Sequence, residues 1–230
     1  MRSPSSLLDT VESGPMADVV AALEEDIILG RIHPRERLTE DSLMARFKVK
    51  RHIVRDALSA LSRSGIVEKE RNKGAVVREF TPREVENIYE MRESLHRLGA
   101  ERIPLPADGK LLSQLRDIQA DHSAAVEVGN LRRVYRLNNE FHEAIFSASG
   151  NPYLADEIAY FAWLSHAIRS YRLADRQLLE QARSEHIQMI EALAAGNRAE
   201  LVRLCVEHIL PSKRAYLTSI QLLMSTAAAG

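Results

Sequence analysis

The stretch from Ile66 to Arg78, IVEKERNKGAVVR, reads as two short β-strands around an Asn72-Lys73-Gly74 turn, and its position decides what the chain can fold into. Three helical segments precede it. Val19, Val20, Leu23, Ile27 and Ile28 recur at helical spacing until Gly30 stops them. Thr39 can cap a second helix, with Glu40 and Asp41 in the first turn, where the helix dipole favours acids, and Leu43, Met44 and Phe47 on its apolar side. Val54, Ala57, Leu58 and Leu61 mark a third, ended by Gly65. Three helices followed by a basic hairpin predict a winged helix-turn-helix over residues 16–80, behind a Ser-rich arm at 1–15 that lacks periodicity.

A boundary follows at once. In "TPRE", Thr81 can cap a helix, Pro82 takes the first helical position and Glu84 closes a capping box. A long helix is expected to about Arg102. After "IPLPADGK", helices are expected near 109–128, 130–149, 152–171, 174–195 and 198–224. The predicted fold is therefore mostly α: a winged helix-turn-helix, then an all-helical bundle at 81–224, then a tail at 225–230. Aromatics at only 5% and abundant Ala, Leu, Glu and Arg favour helices in the same way. No apolar run approaches the 18 or so residues of a membrane span, Cys205 is the lone cysteine, and no signal-peptide pattern opens the chain, so a cytoplasmic protein is expected.

Charge is unevenly spread. The formal total is −1, yet Arg46 to Arg78 holds ten Lys or Arg against three acids, leaving that window at +7 and the remainder acidic. A basic module of this form suits double-stranded DNA. In a helix-turn-helix the last helix enters the major groove with its N-terminal residues at base edges. Lys50, Arg51, His52 and Arg55 fall at that end. Arg51 and Arg55 lead, because a guanidinium fork can take guanine O6 and N7 together or clamp a phosphate. Lys73 and Gly74 sit at the wing tip, where Lys supplies charge and a residue without a side chain lets backbone approach the sugar-phosphate edge. The plain alternative is a solvated helix face.

The bundle carries a second kind of signal. Asn138 and His142 lie four apart and share a helical face, while His186 and His208 lie on apolar stripes of later helices. Three neutral imidazoles and one oxygen could hold a divalent metal ion, and satisfied core or surface histidines are the alternative for each. His33, His96, His122 and His166 are read as structural or surface residues, and Asn151 as a helix cap.

From "LEEDIILGRIHPRERLTEDSLMARFKVKRHIVRDALSALSRSGIVEKERNKGAVV" the N-terminal segment resembles the winged-helix domain of GntR-superfamily transcription regulators, with "VKR" and "VRDAL" at the family's turn and recognition helix. It departs from the pattern at Arg35, Lys50 and His52-Ile53, so the resemblance carries no operator sequence. Residues from about 85 to 222 resemble the FCD ligand-binding domain of the FadR-like branch, through Phe141-His142, Ser149-Gly150-Asn151, Glu185-His186 and His208. That resemblance implies a metal of the Zn, Ni or Mn class on His142, His186 and His208, with Asn138 where a carboxylate is usual and its uncharged amide leaving the site more positive. It also implies that Arg92, in "IYEMRESLHRLGAE", faces an effector pocket; Arg169 and Arg172 are further candidates, and an ion pair of Arg92 with Glu90 or Glu93 is the alternative.

The expected function is a dimeric, sequence-specific transcription regulator, a repressor, whose affinity for operator DNA responds to a small organic acid. Two rivals stand beside it: a metal-free regulator that holds its effector with Arg92, and a metalloenzyme using the three histidines.

Overall fold

The computed structural model of the protein describes residues 14–63, 65–70, 74–173 and 175–228. The expected arm therefore lies outside the described residues except for its last two positions, as do Asn72 and Lys73 of the wing turn. The elements are α1 (Pro15–Ile28), β1 (Arg37–Leu38), α2 (Glu40–Phe47), α3 (Arg51–Arg63), β2 (Val67–Glu70) and β3 (Gly74–Val77) in the first unit. The bundle follows with α4 (Pro82–Arg102), α5 (Gly109–Glu127), α6 (Leu131–Ser147), α7 (Pro152–Leu164), α8 (His166–Leu173), α9 (Arg176–Ala195), α10 (Arg198–Glu207) and α11 (Leu210–Ala228). The chain is mostly α, a winged helix-turn-helix joined to a helical bundle.

Local chemistry sets the helix starts. The Thr39 hydroxyl accepts from the Ser42 amide, and Thr81 and Glu84 form both halves of a capping box ahead of Pro82. The Asn151 side chain caps α7 by accepting from the Leu154 amide, as its position before Pro152 led us to expect. Inside the first unit, buried Asp26 pairs with Arg31 at 3.0 Å and also with Arg46, which ties α1 to α2. The apolar faces of α1 and α3 close over this unit's core through Val19, Leu23, Val54, Leu58 and Leu61.

The wing has three strands rather than two. β3 is central, pairing antiparallel with β1 (Leu38 opposite Ala75) and with β2 (Glu70 opposite Gly74). Two residues were too few to register as a strand in the sequence. Gly74 also has a role other than the one expected of it. Its φ is +89°, and a Cβ there would lie 2.1 Å from the Leu38 carbonyl oxygen. The missing side chain lets β1 approach β3.

Two expected helices are broken. The run expected at 152–171 divides at fully buried Ser165, whose hydroxyl donates to the Phe161 and Ala162 carbonyls and competes with the helix ladder. The run expected at 198–224 divides at His208 and Ile209, because Pro211 has no amide to donate and its ring would clash with the carbonyl four residues back, at Glu207, where α10 ends. The last helix then continues to Ala228, through most of the stretch expected to be a tail.

The two units share a core. Ala167, Ile168, Ile209, Tyr216 and Ile220 of the bundle join the cluster that contains the first unit's apolar residues. Buried Tyr216 accepts from the Phe80 amide at 2.9 Å and donates to the Phe80 carbonyl at 3.2 Å. Ile28 and Leu29, at the end of α1, pack with Val126, Val134 and Leu173, and Arg132 pairs with Glu25 at 2.5 Å.

Replacing Gly74 with Ala should detach β1 from β3 and lower stability by about 2 kcal/mol or more, combining a positive-φ penalty with a backbone clash. Urea unfolding checks this, and an unchanged midpoint would show that β1 does not depend on that approach.

Candidate functional site

The exposed face of α3 lies opposite Val54, Ala57, Leu58 and Leu61, all buried. That face carries Arg51, His52 and Arg55, with Lys50 just before it, and all four are exposed. Lys50 precedes the helix, and its carbonyl accepts from the Ile53 amide at 3.0 Å. The guanidinium groups of Arg51 and Arg55 are not free in solution. Glu40, at the start of α2, accepts from Arg51 Nη1 at 3.1 Å and from Arg55 Nε at 2.8 Å, while Asp41 accepts from Arg51 Nη2 at 2.7 Å. These bonds, that of Arg55 foremost, hold the Glu40 carboxyl below its usual range. Gly74 sits on β3 beside the described edge of the wing, and Lys73 lies outside the described residues.

The bundle encloses a cavity of about 290 Å³ with helices on several sides. His142 from α6 and His208 from the break between α10 and α11 line it, and the His186 ring, from α9, packs against both. A ring nitrogen from each of the three lies within 4.8 Å of those of the other two. His142 Nε2 and His208 Nε2 are 3.0 Å apart. His208 Nδ1 faces a Glu185 carboxylate oxygen at 2.6 Å, and His186 Nδ1 faces the Gln119 side-chain oxygen at 2.9 Å. Both oxygens accept only, so each Nδ1 carries the proton and each Nε2 keeps a lone pair. The Gln119 amide is itself fixed, its nitrogen donating to Ser123 Oγ and the Arg183 carbonyl. His186 Nε2 is buried without a hydrogen bond, and its ring stacks on Phe141 at 4.1 Å. Burial, reinforced by mutual repulsion and nearby arginines, pushes all three imidazoles well below their ordinary range, so they are neutral.

Asn138 lines the same cavity one turn before His142. Arg92 is 4% exposed, and its Nε and Nη1 make no hydrogen bond. It lies over the Tyr89 ring at 4.9 Å instead of pairing with Glu90 or Glu93, and burial pushes its guanidinium down to about 10. Arg169 donates to Asn139 Oδ1 at 2.7 Å and lies over Tyr135. Arg172 is placed differently. Its Nε donates to the Leu178 carbonyl, Nη1 to the His208 carbonyl and Nη2 to Glu185, so it braces the histidines from behind.

Three residues read as structural or surface from the sequence also line the cavity: His96, His122 and His166. His96 Nδ1 bonds to the Cys205 carbonyl, and His166 meets the Tyr135 hydroxyl. Gln119 and Glu185 went unnoticed as supports. Gln119 and His122 are three apart on one face of α5, and Glu185 directly precedes His186, so the signal was local spacing on a helix already identified.

Comparison with known proteins places these features. Residues 15–77 match the family described as bacterial regulatory proteins, gntR family, and residues 87–210 match the FCD domain. The HTH-type transcriptional regulator YdhC of Bacillus subtilis is 27% identical over 177 residues, covering 76% of this chain and 79% of that protein. The Nta operon transcriptional regulator of Aminobacter aminovorans is 27% identical over 178 residues, covering 76% and 82%. The crystal structure of a putative GntR transcriptional regulator from Rhodococcus sp. RHA1 superposes with a TM-score of 0.71 at 24% identity, over 88% of this chain and 97% of that one, which supports the fold.

The buried histidines set a pH dependence. Burial is the largest influence on His96, His122 and His166, and it takes His122 down to about 4. The unfolded chain binds protons at these positions below about pH 6.5 while the folded chain does not, so stability holds above about pH 6.5 and falls below it. Each such group adds a slope of up to about 1.4 kcal/mol per pH unit. Urea unfolding at about pH 7.5 and about pH 5 measures this; equal stabilities would mean that the rings are protonated in place.

Proposed function

Because the chain belongs to the GntR family of bacterial transcriptional regulators and carries the FCD domain, we propose that it is a cytoplasmic, homodimeric repressor whose operator affinity is set by a small carboxylate in a metal-containing pocket. The observation that carries this reading is the cluster of three neutral imidazoles, two of which line the same cavity as buried Arg92. Among the described residues no helix is long and apolar enough to cross a membrane.

On the DNA side, Arg51 and Arg55 read base edges from the major groove, Lys50 and His52 flank them, and Lys73 with Gly74 brings the wing to the phosphates. A twofold dimer would present two such helices to a pseudo-palindromic site. Binding requires Glu40 and Asp41 to share or release the two guanidinium groups.

On the effector side, the donor set fits a divalent ion. Ligand nitrogens about 2.0–2.1 Å from a tetrahedral ion are about 3.3 Å apart, and the 3.0 Å between His142 Nε2 and His208 Nε2 needs only a small adjustment. His142, His186 and His208 would hold it, with the Asn138 amide oxygen beside them and Glu185 and Gln119 fixing the tautomers behind. Imidazole donors suit Zn or Ni better than Mn, and such an ion would supply an open position for a carboxylate oxygen. Arg92 is placed to take the acid's remaining oxygens through its free Nε and Nη1.

The effector can alter DNA binding only by favouring one arrangement of the two units over another. α8 is the route. It carries Arg169 into the cavity and packs against α1 of the DNA-binding unit. A metal-free regulator is the second reading, and the unbonded nitrogens of Arg92 favour it as much as they favour the first. The metalloenzyme reading has less support: among the described residues, the carboxylate bonded to the triad, Glu185, is held by Arg172 and His208.

For the DNA claim, Arg51→Ala and Arg55→Ala should each weaken binding to an operator selected from a randomised duplex library by about 1–3 kcal/mol, with the fold intact by circular dichroism. Undiminished specific binding in both would remove α3 as the reading helix. For the metal claim, elemental analysis of untagged protein should find an ion in the wild type and its loss in His142→Ala. Asn138→Asp should tighten retention by adding a charged ligand. Equal metal content in wild type and His142→Ala would leave the metal-free reading.

A further inference from the structure

The acids around the cavity do not match its cations. Three arginines line it. Arg172 has its counter-ion, Glu185, at 3.0 Å. Among the described residues Arg92 and Arg169 have none: Arg169 donates to the neutral Asn139 side chain and the Ala162 carbonyl, and Nε and Nη1 of Arg92 have no acceptor. Burial lowers the basicity of Arg92 most, and the charge of Arg169 lowers it further.

The lining carboxylates do not answer them. Glu143 and Asp156 are exposed, where water screens them. Glu24, from the DNA-binding unit, does not line the cavity, and burial raises its carboxyl to about 7. Asn138 brings an amide where a charged ligand would have offset the excess. A buried guanidinium without an opposing charge is unfavourable, and a purely structural arginine would have been given a partner, as Arg172 was.

We infer that the effector carries two negative charges, one answered by Arg92 and the other by Arg169, so that the pocket selects a small dianion over the monoanion of the same size. This rests on the effector-pocket reading above and names the class of ligand. Two carboxylates on a short chain and a single dianionic phosphate head are the two chemistries that meet the requirement.

The test uses the full-length protein in an uncharged or cationic buffer, with calorimetric titration of matched pairs, succinate against butyrate and glutarate against valerate, and a separate arm with inorganic phosphate. At least one diacid, or phosphate, should bind ten-fold or more tightly than either monoacid, and which of the two does so identifies the head group. Arg92→Met and Arg169→Met should each bring the preferred dianion down to the monoacid level. The preference should persist in His142→Ala, which separates it from any metal. A second readout needs no ligand: thermal melting of free Arg92→Met should occur at or above the wild-type temperature, since an unanswered charge has been removed. Absence of a dianion preference, whether all the probes bind or none does, or an Arg92→Met variant melting well below wild type, would overturn the inference. A failure of the regulator reading would show instead as operator affinity unchanged by a ligand that binds.

Discussion

α8 has two buried faces, and the rest of the molecule is arranged around that constraint. Ala167, Ile168 and Tyr171 point into the apolar cluster shared with the DNA-binding unit. His166, Arg169 and Arg172, spaced by three, point into the cavity. A helix of eight residues cannot yield on one face while the other stays fixed, because closely packed side chains transmit a displacement instead of absorbing it. The chain bends at Ser165, so that α8 lines the cavity with one face and packs against α1 with the other.

Much of this was legible in the sequence. The winged helix-turn-helix could be read because its helices are short, strongly periodic and closed by Gly30, Gly65 and the Thr81 capping box, each a local signal with a local cause. The triad was legible as spacing on apolar stripes, together with a resemblance. What remained hidden depended on tertiary context. Nothing in the Ser165 neighbourhood announces a break, since a serine within a helix is common and only its complete burial makes its hydroxyl turn back on the ladder. β1 is too short to show a period. Pro211 was a visible signal, and its consequence is large: without the interruption His208 would continue the α10 spiral instead of sitting in the turn from which it reaches His142.

His96, His122 and His166 illustrate a different limit. Sequence shows that a histidine lies on a mixed face; it does not show which side of the helix faces a cavity. Arg169 and Arg172 were undecided for the same reason, three residues apart and both able to face inward. The structure separates them by their partners instead of their direction. Arg172 lends each nitrogen to the scaffold, and Arg169 leaves its charge unanswered.

That contrast also appears on the DNA-binding face, with the opposite outcome. Arg51 and Arg55 are exposed yet provided with carboxylates, whereas Arg92 is buried and provided with none. In water an ion pair such as Glu40 with Arg55 is worth little, so Glu40 can release the guanidinium group at small cost. Arg92 is buried away from bulk solvent, and a buried guanidinium without an opposing charge is unfavourable. The same residue type is therefore poised by an exchangeable partner at one end of the molecule and by the lack of a partner at the other.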